Sequence, residues 1–162
     1  MIETIIIEKK ICLNSKYLNS NIYKHLLDTL INITSETCTQ DFGYILKINR
    51  IVDILNHTIG RTNNDNIFNI KFEADIFKPQ KNMKVSGIVC MIYKDGIFIN
   101  IINKQKILIP TSNLKEYDFI EKSNIYQHKN TKNIITIGDN IKCIINAVGY
   151  INKSYSCFGE IN

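Results

Sequence analysis

The feature that most constrains the fold is a polar break near the middle of the chain, Lys78-Pro79-Gln80-Lys81-Asn82. Proline biases the residue before it away from helix, and a polar stretch of this kind is typical of a link between folded units. A chain of 162 residues then divides into two small domains, residues 1–78 and residues 79–162. Because domains of this size bury less of their surface than larger ones, each is expected to lean on its neighbour or on a partner.

The first half predicts the order β-α-β-β. Residues 3–13 alternate loosely and are rich in Ile, which indicates a strand. Ser20-Asn21 can cap a helix whose apolar residues recur at helical spacing: Ile22, Leu26, Leu30 and Ile33. A loop from Thr37 to Gly43 follows. Two β-rich segments, Tyr44–Leu55 and Ile67–Phe77, then flank a polar turn, His57–Asn66.

The second half predicts a small β-barrel. Its first strand, Lys84–Tyr93, would place Val85, Gly87, Val89 and Met91 on one face, and Lys94-Asp95-Gly96 is a hairpin signal. Four further strands are predicted at Ile97–Ile102, Lys106–Ile109, Asn140–Val148 and Tyr155–Glu160. A long polar excursion, Leu114–Lys132, separates the third strand from the fourth. Five strands with this one long connection match a Greek-key barrel of the OB type.

Positive charge is concentrated in the second half. Residues 1–78 hold nine Lys or Arg and nine Asp or Glu, whereas residues 79–162 hold eleven Lys and six acids, which accounts for the net charge of +5. A polyanion would be drawn to that half. A plain solvated surface stays open as an alternative. The chain has 34 Ile, 21 Asn and 18 Lys but only 2 Arg. Because Ile, Asn and Lys have AT-rich codons, the excess of lysine can reflect the composition of the genome and not a binding function.

Residues that could carry catalysis or hold a metal form no recognisable site. The five cysteines include no C-x-x-C pair, which favours reduced, buried thiols over disulfides or zinc. His25, His57 and His128 have no signature that links them to a cysteine nucleophile. Glu73 and Asp75 lie on one face of a strand and are candidates for a pair of acid–base carboxylates, but a solvated sheet edge explains their presence more simply. We expect no metal, no cofactor and, since no apolar run approaches roughly 18 residues, no membrane association.

The barrel offers candidates for binding single-stranded nucleic acid. OB barrels use the face of their second and third strands, where aromatic rings stack on bases and lysines follow the backbone. The residues of this type at the predicted hairpins are Tyr93, Lys94, Phe98, Lys104 and Lys106. Strand alternation places Phe98 opposite Ile97 and Ile99, so Phe98 is either an exposed platform or a core residue.

Several segments of the chain, taken in order, are similar to the motifs of one protein family. Residues 36–45, E-T-C-T-Q-D-F-G-Y-I, are similar to that family's E/G-T-C-T-x-x-[YF]-G-[YF]-[IV]. Residues 11–18, I-C-L-N-S-K-Y-L, align with its I-L-L-H-P-R-Y-F, and residues 71–79 with its K-Y-x-A-x-x-F-[RK]-P. The barrel segments 87–98 and 137–142 fit as well. Over nearly its whole length the chain thus resembles the stalk subunit of multi-subunit RNA polymerases, the family of the seventh subunit of eukaryotic polymerase II and its archaeal counterpart.

The resemblance implies an α+β architecture, with an N-terminal ribonucleoprotein-like α/β domain followed by a C-terminal OB-type five-stranded β-barrel. The first domain would dock on the large polymerase core subunits through a tip, and the barrel would meet single-stranded nascent RNA. A smaller helical subunit would complete the stalk. The tip would be built from Asp41, Phe42, Gly43 and Tyr44 together with the turn His57–Asn66, in which we single out Ile59, Gly60 and Arg61.

The function predicted is that of a non-catalytic stalk subunit that assists transcription initiation and binds nascent RNA. A cellular protein of this kind would be nuclear, and one from a large DNA virus would occur in the virion and the host cytoplasm. A free-standing RNA-binding translation or RNA-decay factor is the alternative, but it gives no reason for the segment T-C-T-x-x-F-G-Y. A small enzyme with a cysteine nucleophile has almost no support.

Overall fold

The computed structural model describes residues 2–61 and 65–162, which form two compact units, Ile2–Lys78 and Pro79–Asn162. The described chain is mostly β-strand with one α-helix. Within those two ranges, no helix combines the length and the apolar character needed to cross a membrane.

The first unit is an antiparallel sheet with a helix on one face. Its elements in chain order are β1 (Ile2–Leu13), α1 (Ile22–Thr34), β2 (Cys38–Thr39), β3 (Gly43–Ile59) and β4 (Asn66–Phe77), and the strands lie in the order β1-β4-β3-β2. The strands and the helix lie where the sequence predicts them. The predicted loop Thr37–Gly43 contains the short strand β2, and strand pairing continues into both ends of the predicted turn His57–Asn66, of which residues 62–64 lie outside the described residues.

Burial along β4 alternates and defines the core of this unit. Every second residue from Phe68 to Ile76 is buried, and these side chains pack with Leu26 and Leu30 of α1. The expected fourth helix residue, Ile33, is exposed instead. Thr34 occupies the buried position, where its hydroxyl donates a hydrogen bond of 2.7 Å to the Leu30 carbonyl.

Strand β3 departs from simple alternation because it bulges four times. The register shifts between Ile45 and Lys47 and again at each third residue, so that Ile45, Ile48, Ile51 and Ile54 pair in turn with Ile76, Ala74, Phe72 and Ile70. Each bulge adds one residue to β3 and increases the local twist. Isoleucines that recur every three residues therefore all meet the buried row of β4.

The expectation that Glu73 and Asp75 lie on a solvated edge is wrong, because β4 pairs with both β1 and β3 and is a central strand. Glu73 forms an ion pair of 3.2 Å with Arg50. Asp75 accepts hydrogen bonds from the Thr4 hydroxyl at 2.7 Å and the Asn49 amide at 2.9 Å, and these bonds lower the pKa of its carboxyl. These contacts tie the three strands together on the face opposite the core.

The second unit contains the predicted five-stranded OB-type barrel. Its strands are β5 (Lys84–Tyr93), β6 (Gly96–Ile101), β7 (Gln105–Pro110), β11 (Asn140–Ile151) and β12 (Ser154–Ile161), and they close in the order β11-β12-β7-β6-β5. Strands β7 and β12 pair in parallel, whereas the other neighbours are antiparallel. The barrel interior is dominated by Ile, which includes the fully buried Ile97, Ile99, Ile107 and Ile109.

The predicted polar excursion Leu114–Lys132 is not an irregular loop. It contains the hairpin β8 (Tyr117–Ile120) and β9 (Ile125–His128), and β10 (Ile134–Ile135) joins it to form a small three-stranded sheet. Tyr126 of β9 is fully buried. The polar composition hid this sheet, because its strands are only two to four residues long.

The sequence correctly predicts which residues face the barrel interior only for the first part of β5. Gly87 and Val89 are buried, but Met91 is only half-buried and Ile92 takes the interior position. The register with β6 shifts between Val89 and Met91, so Cys90 is an extra residue that moves the following side chains to the other face.

Candidate nucleic-acid interface

The five residues predicted to bind RNA lie along the outside of the hairpins β5–β6 and β6–β7. We call this surface the outer stripe: Tyr93, Lys94, Phe98, Lys104 and Lys106. Tyr93 pairs with Gly96, so Lys94 and Asp95 form a two-residue turn at one end of β6. Lys104 lies in the turn at the other end of β6, which is about 20 Å away at the rise of a strand.

The alternation on β6 places Phe98 on the outer face. Ile97 and Ile99 are fully buried, whereas Phe98 is only half-buried. Its ring meets that of Tyr93 edge-on, with centroids 6.2 Å apart and planes at 89°. Tyr93 is 52% exposed. The hairpin thus presents two aromatic rings that hold each other in place, which is a favourable arrangement for such pairs.

Gly96 closes the β5–β6 hairpin tightly. Its φ of 149° lies in a region that side chains rarely adopt, and a Cβ there would overlap the carbonyl oxygen of Ile109. The backbone of Gly96 therefore packs directly against β7. This close approach fixes the position of the turn that carries Lys94.

The lysines of the outer stripe extend into solvent. Lys106 follows the buried Gln105 on β7 and pairs with Asn100 of β6. The next pair on the outer face of these two strands is Phe98–Leu108. Lys94 lies 3.5 Å from the carboxylate of Glu121, and both side chains are about three-quarters exposed. Ion pairs as exposed as this one are weak. A phosphate could therefore displace Glu121 from Lys94.

Phe158 is an outward aromatic residue that the sequence reading did not single out. It is 45% exposed on β12, where Tyr155 and Cys157 are buried. The strand registers align it with Leu108, which in turn pairs with Phe98, so an apolar row crosses three strands. Alternation within the predicted strand Tyr155–Glu160 would have identified Phe158 once the inner face of that strand was known.

The thiols of Cys143 and Cys157 are buried, and the His57 ring packs against a neighbouring aromatic residue. Burial raises the pKa of Cys143 and Cys157 to about 11, which keeps both thiols protonated at neutral pH. Cys12 is exposed, contrary to the expectation of buried thiols. The His57 ring stacks on Phe68 with centroids 4.4 Å apart, and its Nε2 lies 2.8 Å from the Asn66 side-chain oxygen. Within residues 2–61 and 65–162, no cluster of three potential metal ligands occurs.

The structure separates the two segments that were expected to form one docking tip. Tyr44 pairs with Phe77 at one end of β4, and Ile59 pairs with Asn66 at the other. Asn66 and Phe77 are eleven residue steps apart on β4, which is about 35 Å along a strand. The antiparallel hairpin is the reason, because it places the start and the end of β3 at opposite ends of the sheet.

The two segments also differ in exposure. Gly43 is buried with φ 72°, and a Cβ there would overlap the carbonyl oxygen of Phe77. The Phe42 amide donates to the Thr39 hydroxyl at 3.2 Å, and the Lys78 ammonium donates to the Asp41 carbonyl at 3.1 Å. These contacts make the first segment a tight structural turn. At the other end of the hairpin, Ile59 is 67% exposed, and Gly60 and Arg61 follow it.

A known protein family matches the second unit of the chain. The S1 RNA binding domain family matches residues 78–150. Among solved structures, the apo form of Mycoplasma genitalium RNase R matches with 21% identity and a TM-score of 0.42 over 49% of this chain and 13% of that one, a likeness too weak to bear on the fold.

Three curated relatives extend the comparison. The chain is 28% identical to the DNA-directed RNA polymerase II subunit RPB7 of Saccharomyces cerevisiae, over 90% of this chain and 92% of that protein. The corresponding subunit of Dictyostelium discoideum is 26% identical over 57% of this chain and 54% of that protein. The uncharacterized protein 250L of Invertebrate iridescent virus 6 is 33% identical over 56% of this chain and 62% of that protein. The chain is therefore similar over nearly its whole length to the RPB7 subunit of DNA-directed RNA polymerase II, and its residues 78–150 match the S1 RNA binding domain family.

Proposed function

We propose that this chain is a non-catalytic subunit in which the first unit docks on the polymerase core and the barrel contacts nascent RNA. The observation that carries the proposal is the extent of the match to yeast RPB7, which covers 90% of the chain. A free-standing S1 protein would share only the barrel, residues 78–150. In this role the chain assists transcription initiation, and nucleotide addition takes place in the large subunits.

The outer stripe is the surface that we assign to RNA. Tyr93 and Phe98 supply ring faces for bases, Lys94, Lys104 and Lys106 supply charge for phosphates, and Phe158 extends the apolar row. Each stacked base contributes about 1–3 kcal/mol and depends little on base identity. We therefore expect weak, sequence-tolerant binding that weakens as salt concentration rises.

For the contact with the polymerase core we propose the end of the β3–β4 hairpin, at Ile59, Gly60 and Arg61. Ile59 is 67% exposed at this end of the hairpin, and a protein partner that covers it would gain from the burial of its apolar surface. The first unit carries no net charge, which suits docking on protein better than on a polyanion. The turn Asp41–Tyr44 is assigned here to the stability of the unit.

The proposal includes a second partner and a cellular setting. We infer that a smaller helical subunit pairs with this chain, and that the first unit has a ribonucleoprotein-like α/β build.

A cellular protein would act in the nucleus. The relative in an iridescent virus supports the other setting, in which the protein acts in the host cytoplasm and is packaged in virions.

Gentle purification of the tagged full-length chain from its native source tests this proposal. We expect the large subunits of an RNA polymerase to follow it in stoichiometric amount. Recovery of ribosomal or RNA-decay components without any polymerase subunit would overturn the proposal in favour of a free-standing RNA-binding factor.

A further inference from the structure

The β5–β6 turn is held from behind by Tyr126. The phenolic hydroxyl of this residue donates a shared hydrogen bond to the carbonyl oxygens of Tyr93 and Lys94, at 2.8 Å and 2.9 Å. Tyr126 has no exposed surface, so water cannot replace these partners. A buried hydroxyl that loses its partner costs more than an ordinary hydrogen bond contributes.

Thr111 and Asn124, which both lie between β7 and β9, hold the same turn. The Thr111 hydroxyl donates to the Lys94 carbonyl at 2.9 Å, and the Thr111 amide donates to the Asp95 carbonyl at 3.0 Å. The side-chain amide of Asn124 donates to the Ile92 carbonyl at 3.1 Å. Four consecutive carbonyls, from Ile92 to Asp95, therefore each accept a hydrogen bond from the segment between β7 and the end of β9.

The small sheet in turn fixes Tyr126. The Tyr126 ring packs on Phe119 of the neighbouring strand, with centroids 5.2 Å apart, and Phe119 and Tyr126 are paired in the β8–β9 register. The hydroxyl is thus presented to the turn by a paired strand. Two residues of the outer stripe, Tyr93 and Lys94, have their own carbonyls bonded to this one hydroxyl.

We propose that Tyr126 is a positioning residue for RNA, because its hydroxyl holds the β5–β6 turn in the geometry that presents Tyr93 and Lys94. The inference rests on the proposed binding of RNA by the outer stripe. Holding the turn in its bound shape before RNA arrives lowers the entropic cost of binding. The hairpin β8–β9 then has a role in recognition although none of its residues is required to touch RNA.

The test compares Tyr126→Phe with Thr34→Val in the full-length chain. Tyr126→Phe keeps the buried ring and removes the hydroxyl, whereas Thr34→Val removes a buried hydroxyl from α1 in the other unit. The probe is an oligouridylate of about 12 nucleotides, which is within the site size of OB-type domains. Affinity is measured by fluorescence anisotropy, and hydrogen exchange is followed in the peptide that spans the β5–β6 turn.

We expect Tyr126→Phe to raise the Kd by about three- to tenfold, the equivalent of one lost hydrogen bond, and to speed exchange at the turn. Thr34→Val should leave both unchanged. Equal affinity of Tyr126→Phe and wild type, or an equal loss in Thr34→Val, would overturn the role of Tyr126 alone. Failure of the wild-type chain to bind the oligouridylate would overturn the proposed function of the barrel as well.

Discussion

Phe98 and Tyr93 form an edge-to-face pair on the outside of the barrel, with ring centroids 6.2 Å apart and planes at 89°. The pair spans the β5–β6 hairpin, since Phe98 lies on β6 and Tyr93 ends β5. Each ring therefore limits the motion of the other next to the turn that carries Lys94. Removing either ring frees its neighbour, and the effects of the two substitutions on binding should not add.

We expect Phe98→Ala to weaken binding of single-stranded RNA by about 1–3 kcal/mol, because one stacking platform is lost. The matched control is Ile99→Ala on the inner face of the same strand, where Ile99 is fully buried. That variant should lower the free energy of unfolding by about 2–5 kcal/mol. Anisotropy titrations and urea unfolding separate the two effects, and a Phe98→Ala protein that binds as well as wild type would remove Phe98 from the interface.

Simultaneous replacement of Lys94, Lys104 and Lys106 by Ala should flatten the salt dependence of RNA binding. Each phosphate contact that is lost lowers the slope of log K against log salt concentration by about 0.7 for a single strand, so the triple variant should lose about 2. Lys9, Lys10 and Lys24 of the first unit provide a control with the same change of charge. Equal slopes in wild type and the outer-stripe variant would contradict the assignment of these lysines.

Glu121→Gln should tighten RNA binding, because Glu121 lies 3.5 Å from Lys94 and competes with phosphate for its ammonium group. Exposed pairs contribute at most about 1 kcal/mol, so the gain is limited to about fivefold. The same substitution in a Lys94→Ala background should have little effect. A full double-mutant cycle measures this dependence, and two additive effects would show that the ion pair is not involved.

Ile59→Asp should release the tagged chain from polymerase without unfolding it. Ile59 is 67% exposed, so a charge there costs little in the isolated protein but would be desolvated unpaired in a protein interface. Co-purification of the large subunits measures the loss, and circular dichroism checks the fold. Undiminished recovery of polymerase would place the docking contact elsewhere in the first unit.

Gly43→Ala should destabilise the first unit strongly. Gly43 has φ 72°, and a Cβ there overlaps the Phe77 carbonyl, so the new methyl group must displace backbone. We expect a loss of about 1–3 kcal/mol or more in the free energy of unfolding. Gly149→Ala is the control, since the nearest atom to its Cβ would be 4.0 Å away. Equal unfolding midpoints for the two variants would contradict a structural role for the Asp41–Tyr44 turn.

The sequence predicted the strands of the barrel because each has apolar residues at alternating positions and is bounded by a turn signal such as Lys94-Asp95-Gly96. It could not predict which residues would bulge. The extra residue Cys90 moves Ile92 into the core, and the four bulges of β3 bring Ile45, Ile48, Ile51 and Ile54 to one face. Bulges arise from the fit between two strands, which neither strand encodes alone.

The candidate RNA-binding site stays a prediction. Tyr93, Phe98 and the three lysines are singled out from the sequence because their types and hairpin positions are those of a nucleic-acid surface. Phe158 is brought beside them by the parallel pairing of β7 and β12, which are about 50 residues apart in sequence. Tyr126 lies in a short strand that no periodic pattern indicated, and its contact with the turn is a long-range one.

We propose that one unit of the chain binds the polymerase core and that the other binds the transcript. Parallel purifications of tagged wild type, Ile59→Asp and the triple lysine variant after crosslinking in the native source test it most directly. We expect the lysine variant to retain the large polymerase subunits but to lose crosslinked RNA. We expect Ile59→Asp to lose the polymerase, whereas the purified Ile59→Asp protein should still bind oligouridylate. Loss of both partners in both variants, or of neither, would contradict it.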